Sequence, residues 1–123
     1  MEPCPLCFGA LYMSGIRNLR YAARDPYAGS TNLLGATPYL SRKEIDIRHP
    51  ACPLLEQVAL AIQSEWLFGI GETLDRPVPA AINALVPSAV ALGGRLYRTR
   101  ALRKMAAEQL PIGDVVDWLC AQV

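Results

Sequence analysis

Hydrophobic and polar positions follow several distinct rhythms along this chain. Across residues 54–68, Leu54, Leu55, Val58, Ala59, Ile62, Trp66 and Leu67 fall on one stripe, with Glu56, Gln57, Gln63 and Glu65 opposite or beside it. Returns every three or four positions predict an amphipathic helix, ended by Gly69 and Gly71. Residues 5–15 are apolar all round, which predicts a short helix buried on more than one side; Pro5 suits its first turn and Gly15 stops it. Residues 18–23 read as a strand ending in the turn signal Arg24-Asp25-Pro26. Residues 44–48 alternate around Ile45 and Ile47, the period of a half-buried strand. Between the two strands, residues 25–41 are rich in Gly, Ser, Thr, Asn and Pro and predict a loop with one helical turn near Leu33. Pro50 and Pro53 frame the start of the long helix.

From Glu72 the pattern changes. Pro77, Pro79 and Pro87 punctuate an Ala/Val/Leu stretch backed by Gly93-Gly94. Residues 97–109 predict a basic amphipathic helix with Leu102 and Met105 on its apolar side, and residues 111–121 a second one presenting Ile112, Val115, Val116 and Leu119. A soft boundary near residue 70 divides the chain into 1–69 and a helical extension, 70–123. Phe8, Tyr12 and Trp66 are spaced for packing and read as core.

Composition narrows the class. The chain has 123 residues, enough for one domain with a real core, and 52% are apolar, which excludes global disorder. Twelve basic and eleven acidic residues leave a net charge of +1, so no broad field gathers nucleic acid or anionic lipid. Arginines outnumber lysines, and Arg95, Arg98, Arg100, Arg103 and Lys104 form a basic stretch that could touch phosphate; it reads first as a solvated helix face. No apolar stretch reaches the length of a membrane span, and the first residues lack the basic start of a signal peptide. A cytoplasmic, reducing location is the expectation, with no membrane or nucleic-acid partner.

Candidate chemistry concentrates at Glu2-Pro3-Cys4-Pro5-Leu6-Cys7, a P-C-x-x-C at the start of a helix. Cysteines three apart share a helix face, so both sulfurs reach one metal ion. The free amide N–H groups and positive dipole end of a helix N-terminus favour thiolate, and a thiolate pair suits zinc. The spacing alone leaves a redox pair, half of a structural zinc site and two buried thiols open as readings. Adding His49 and Cys52 gives a C-x2-C…H-x2-C set that on paper closes a tetrahedral site, although Cys52 also reads as a core residue at a helix start and His49 as a surface imidazole. Cys120, beside Leu119, reads as a small buried hydrophobe.

The residues around the motif resemble the zinc-dependent deaminases, whose signature is H-x-E followed later by P-C-x-x-C. Residues 2–11 look like that family's zinc helix. Ile16-Arg17, then Leu19-Arg20-Tyr21-Ala22-Ala23-Arg24-Asp25-Pro26 and Ala28-Gly29, look like its next turn, strand and loop. The Ala-Arg-Asp-Pro-x-Ala-Gly run is similar to the branch containing tRNA adenosine deaminases and nucleoside deaminases, and Cys52 with Leu54-Leu55 resembles the Cys-x-x-Leu-Leu opening of that branch's late helix. The resemblance covers roughly residues 2–69 and has no counterpart for 70–123.

The resemblance implies an α/β class: a three-layer α/β/α cytidine-deaminase-like fold around a mixed sheet. It implies zinc held by Cys4, Cys7 and a third ligand, and hydrolytic deamination of a cytosine- or adenine-type nucleobase, nucleoside or nucleotide, with a glutamate shuttling protons. Arg24 and Asp25, after a strand, are expected at the mouth of the substrate site, with a simple turn as the competing reading. The pattern departs from the family upstream. Its H-x-E precedes P-C-x-x-C, whereas the single histidine here, His49, is followed by Pro50 and Ala51. The expectation is a truncated fold, the C-terminal part of a deaminase-like domain with a helical extension, from a shortened reading frame or a start assigned too late. Such a chain alone is expected to be inactive. Two rivals stand beside it: a non-catalytic interaction module that pairs with itself or a partner, and a small structural zinc domain.

Overall fold

The computed structural model describes residues 1–49 and 52–123. Among these, helix α1 spans Pro5–Met13, strand β1 Asn18–Arg20, a 3-10 turn Thr31–Leu33, and strand β2 Asp46–Arg48. Helices α2 (Pro53–Gly69), α3 (Pro77–Leu85), α4 (Pro87–Thr99), α5 (Ala101–Ala107) and α6 (Ile112–Cys120) follow. Pro50, read above as one half of a frame around α2, lies outside the described residues.

The three-layer α/β/α expectation is corrected by this architecture. Helices make up 55% of the chain, and the described sheet is two parallel strands in the register Asn18↔Asp46, Leu19↔Ile47, Arg20↔Arg48. A layered α/β domain needs a sheet with two broad apolar faces. Here each strand has three residues, and only its middle residue is part-buried. The buried core is supplied mainly by apolar residues on helices instead. Strand β1 stops at Arg20, short of residue 23, and the Ala23 carbonyl accepts the Glu2 N–H instead (2.7 Å).

The core joins α2, α3, α4 and α6. Val58, Leu60, Ala61 and Leu67 of α2 meet Ile82 of α3, Ala89, Val90, Leu92 and Leu96 of α4, and Leu119 of α6. The helix-start prolines explain how a proline-rich stretch becomes helical: Pro53, Pro77 and Pro87 each open a helix, where the missing N–H has no intrahelical partner to lose. Residues 97–109 do not form one helix. Arg100 takes a left-handed conformation (φ 54°), so α4 ends and α5 sets off in a new direction.

The apolar stripe of α2 is also corrected. Trp66 is 58% exposed, and Leu54, Leu55 and Ile62 are exposed with it. The face turned inward carries Leu60, Ala61, Ser64 and Leu67. Gly93 supplies the reason: a Cβ there would lie 2.6 Å from the Ser64 Cβ and 2.7 Å from the Ala61 carbonyl oxygen. So close an approach of two helices selects small residues for the seam and turns bulkier ones outward. Phe8 and Tyr12 are buried as expected. The Tyr12 hydroxyl donates to the Tyr39 carbonyl (2.5 Å), and the Lys43 ammonium lies 4.7 Å above the Tyr12 ring.

Gly93→Ala is expected to force α2 and α4 apart and to cost about 2–3 kcal/mol in urea unfolding. Gly113→Ala, where a Cβ meets nothing within 4 Å, should stay within about 0.5 kcal/mol of the parent.

Candidate functional site

The cysteine motif sits where the chain enters α1. Cys4 precedes the first helical residue in an extended conformation (φ −69°, ψ 171°), and Pro5 begins the helix. The segment before it is fastened to the loop after β1. Besides the Glu2–Ala23 bond, the Ser30 N–H donates to the Pro3 carbonyl (3.0 Å). The Glu2 carboxylate accepts the N–H groups of Asp25 and Thr31 (both 3.2 Å) and the Thr31 hydroxyl (2.5 Å). A Cβ at Gly29 would collide with this carboxylate and with the Asp25 carbonyl, so glycine is what lets the loop close over Glu2.

Cys4 is half-buried and Cys7, one turn on, is exposed. The Cys7 backbone N–H, and then the Cys7 thiol, donate to the Cys4 sulfur and pull the Cys4 thiol below its ordinary value. The same thiol contact, with the charge it places beside Cys7, pushes Cys7 up. The two thiols are thus pushed apart, Cys4 down and Cys7 up. Two sulfurs in one helical turn fit two corners of a tetrahedral zinc site. Among the described residues, no three His, Cys, Asp or Glu side chains gather around a common metal position. The four-residue set with His49 and Cys52 is not assembled: His49 stacks on Tyr21 (centroids 4.7 Å apart, planes 8° from parallel), and Cys52 stands at the start of α2.

A polar cluster lies beyond the carboxyl ends of β1 and β2, the edge where parallel strands present ligand-contacting groups. Arg24 forms a two-pronged pair with Glu56 of α2, Nε to Oε1 and Nη2 to Oε2 at 2.8 Å each, and its backbone N–H donates to Oε1 (3.1 Å). Glu56 is only 5% exposed. The Arg24 guanidinium holds the Glu56 carboxyl below the usual carboxylate range, against the upward push of burial. Asp25 accepts the N–H groups of Tyr27 and Ala28 (3.0 and 2.9 Å) and so sets the turn after the strand. Burial pushes the Tyr21 phenol up. Arg24 is thus held by α2 and Asp25 by its own turn. Glu2 and Glu56, which hold the cluster together, were not picked out from the sequence; Glu2 precedes the cysteines, and Glu56 reads there as a polar position on α2.

Comparison with protein-family models, with curated proteins and with solved structures returns no match. Among the described residues no helix is long and apolar enough to cross a membrane.

The Arg24–Glu56 pair sets an acid-side dependence. Its contribution is present above the unfolded glutamate pKa of about 4.3 and is lost as pH falls through the lower folded value. Arg24→Met is expected to cost about 2 kcal/mol at pH 7 by stranding a buried carboxylate. That deficit should shrink at pH 3, since the variant's buried carboxyl, no longer held down by Arg24, takes up its proton there. Urea unfolding at the two pH values checks this; an equal deficit at both would assign Arg24's contribution to packing of its stem.

Proposed function

We propose that this chain supplies two thiolate ligands, Cys4 and Cys7, to a zinc centre of the hydrolytic deaminase type, acting on a cytosine- or adenine-type nucleobase, nucleoside or nucleotide, and that alone it is catalytically silent. The observation that carries this is the placement of Cys4 and Cys7 together at the start of α1, with Cys7 exposed. When bound there and completed by a third ligand, zinc supplies activation of a water near neutral pH. The chain's own residues hold and orient. Cys4 and Cys7 bind the ion, and Glu2 clamps the α1 start to the loop at Asp25 and Thr31. The Arg24–Glu56 pair fixes that loop to α2. The single histidine, followed by Pro50 and Ala51, makes no H-x-E, so the His and Glu for general acid–base work come from outside residues 1–123.

Cobalt substitution tests it. Co2+ should give a sulfur-to-metal charge-transfer band with the parent chain that disappears in Cys4→Ser and in Cys7→Ser and persists in His49→Ala. Cytidine or adenosine should release no ammonia with the chain alone and should do so once a His-x-Glu fragment is added. No thiolate band would remove the proposal, and a band that needs His49 would replace it with a structural zinc domain.

One observation favours a second reading, a non-catalytic interaction module. Leu6 (82% exposed) and Met13 on α1, and Leu55, Ile62 and Trp66 on α2, leave two helices with apolar residues in solvent. Sedimentation velocity should then show self-association that Trp66→Glu weakens; a monomer at high concentration counts against it.

A further inference from the structure

We propose that the cleft between the end of α2 and the α3–α4 pair binds an amphiphilic organic phosphate, its apolar body in the cleft and its head on Arg98, Arg100 and Arg103. The cleft has a volume of about 790 Å³, in the range of about 300–1,000 Å³ that takes a drug-sized ligand. Its walls are mainly apolar: Phe68, Leu74, Pro87, Val90, Ala91 and Gly94. Gly94 keeps the floor open. A Cβ there would lie 3.3 Å from the Arg98 guanidinium and 3.6 Å from the Phe68 ring, taking up space where the apolar and cationic parts meet.

Tyr97 and Arg98 also line a second hollow, of about 300 Å³, whose remaining walls are Gly69, Arg100 and Arg103. Tyr97 and Arg98 thus stand on the border between the apolar cleft and a polar one. Arg98, Arg100 and Arg103 come together because the left-handed Arg100 bends the chain between α4 and α5. None of the three forms an ion pair or donates a side-chain hydrogen bond to a described residue, in contrast to Arg20, Arg24, Arg48 and Arg76, each of which has an acidic partner. Three guanidinium forks without counter-charge match a phosphate dianion. The acid on the cleft wall, Glu72, lies 3.5 Å from Arg76, outside the arginine hollow. Charge thus sets the orientation: the anionic end lies at Arg98 and the apolar body runs toward Leu74. A single amphiphile accounts for both hollows, whereas a solvated basic face accounts only for the arginines.

Calorimetry on the full chain tests this, with dodecyl phosphate as the probe at concentrations where it is monomeric. One molecule is expected to bind per chain. Inorganic phosphate and dodecanol should each bind at least about tenfold more weakly, since each makes half of the contacts. The double variant Arg98→Gln/Arg103→Gln should lose about tenfold or more by removing two head contacts. Ala91→Trp, which fills the cleft from an exposed helical position, should lose a similar factor, and Leu74→Trp repeats that test from the opposite wall. Helical circular dichroism equal to the parent's qualifies each variant. Absence of dodecyl phosphate binding would overturn the proposal, as would parent-like binding by both tryptophan variants or by the arginine variant. Recruitment to phosphatidic acid vesicles that survives both tryptophan substitutions would overturn it too, since it would mark attraction to a charged surface without occupation of the cleft.

Discussion

The contact of α2 with α4 at Gly93 is the constraint from which the rest of the structure follows. Two helix backbones meet there with no room for a single methyl group, and the residues facing the glycine are correspondingly small, Ala61 and Ser64. Ser64 satisfies its own hydroxyl within α2 by donating to the Leu60 carbonyl (2.8 Å), so the seam buries no unpaired side-chain donor at that point. Once the small face of α2 is committed inward, the rotation of the whole helix is set. Leu60 and Leu67 enter the core, Glu56 points back toward Arg24, and Leu55, Ile62 and Trp66 are left outside. The next residue on α4, Gly94, opens the cleft wall beside Phe68. Two adjacent glycines thus serve opposite ends, one closing a gap between helices and the other keeping one open.

The cysteine pair depends on the same seam at one remove. Glu56 is fixed by the rotation of α2; Arg24 is fixed by Glu56; the loop after β1 is fixed by Arg24 and by the Asp25 turn; and Glu2 is held by that loop. Cys4 lies two residues beyond Glu2 at the start of α1. A buried carboxylate whose partner is missing is expensive, so this chain of contacts is stiff at its α2 end. It is lighter at its Glu2 end, where the carboxylate is held by uncharged N–H and hydroxyl groups and the nearby Cys7 is exposed.

Local pattern made much of this legible. Helix α1, the long helix α2 and α6, together with both strand positions, can be read from period, proline and glycine, and the cysteine pair from its spacing. What stayed hidden was set by contacts distant in sequence. Periodicity finds that α2 is apolar on a stripe holding Trp66, yet burial was decided by a glycine 27 positions on from that tryptophan. The sheet was overestimated because a resemblance in residues 2–69 carried a layered architecture with it, while the segments themselves have strand pattern for only a few residues each. Helix α3 was obscured by prolines that look like breaks and act as helix starts. For the site, Arg24 was legible as a residue after a strand; its partner Glu56, 32 positions away, was not.

The single-residue joint at Arg100 has a kinetic meaning. Helix α5 has seven residues, none of them buried, and its link to α4 is one amino acid held in a backbone region that side chains disfavour. A segment with so little core contact opens at a free energy well below that of global unfolding. Its amides should therefore exchange with solvent long before those of α2 or α4. Because Arg103 travels with α5 while Arg98 stays on α4, each such opening dismantles the arginine cluster and each closure rebuilds it, so the cluster exists only while residues 101–107 are closed against exchange.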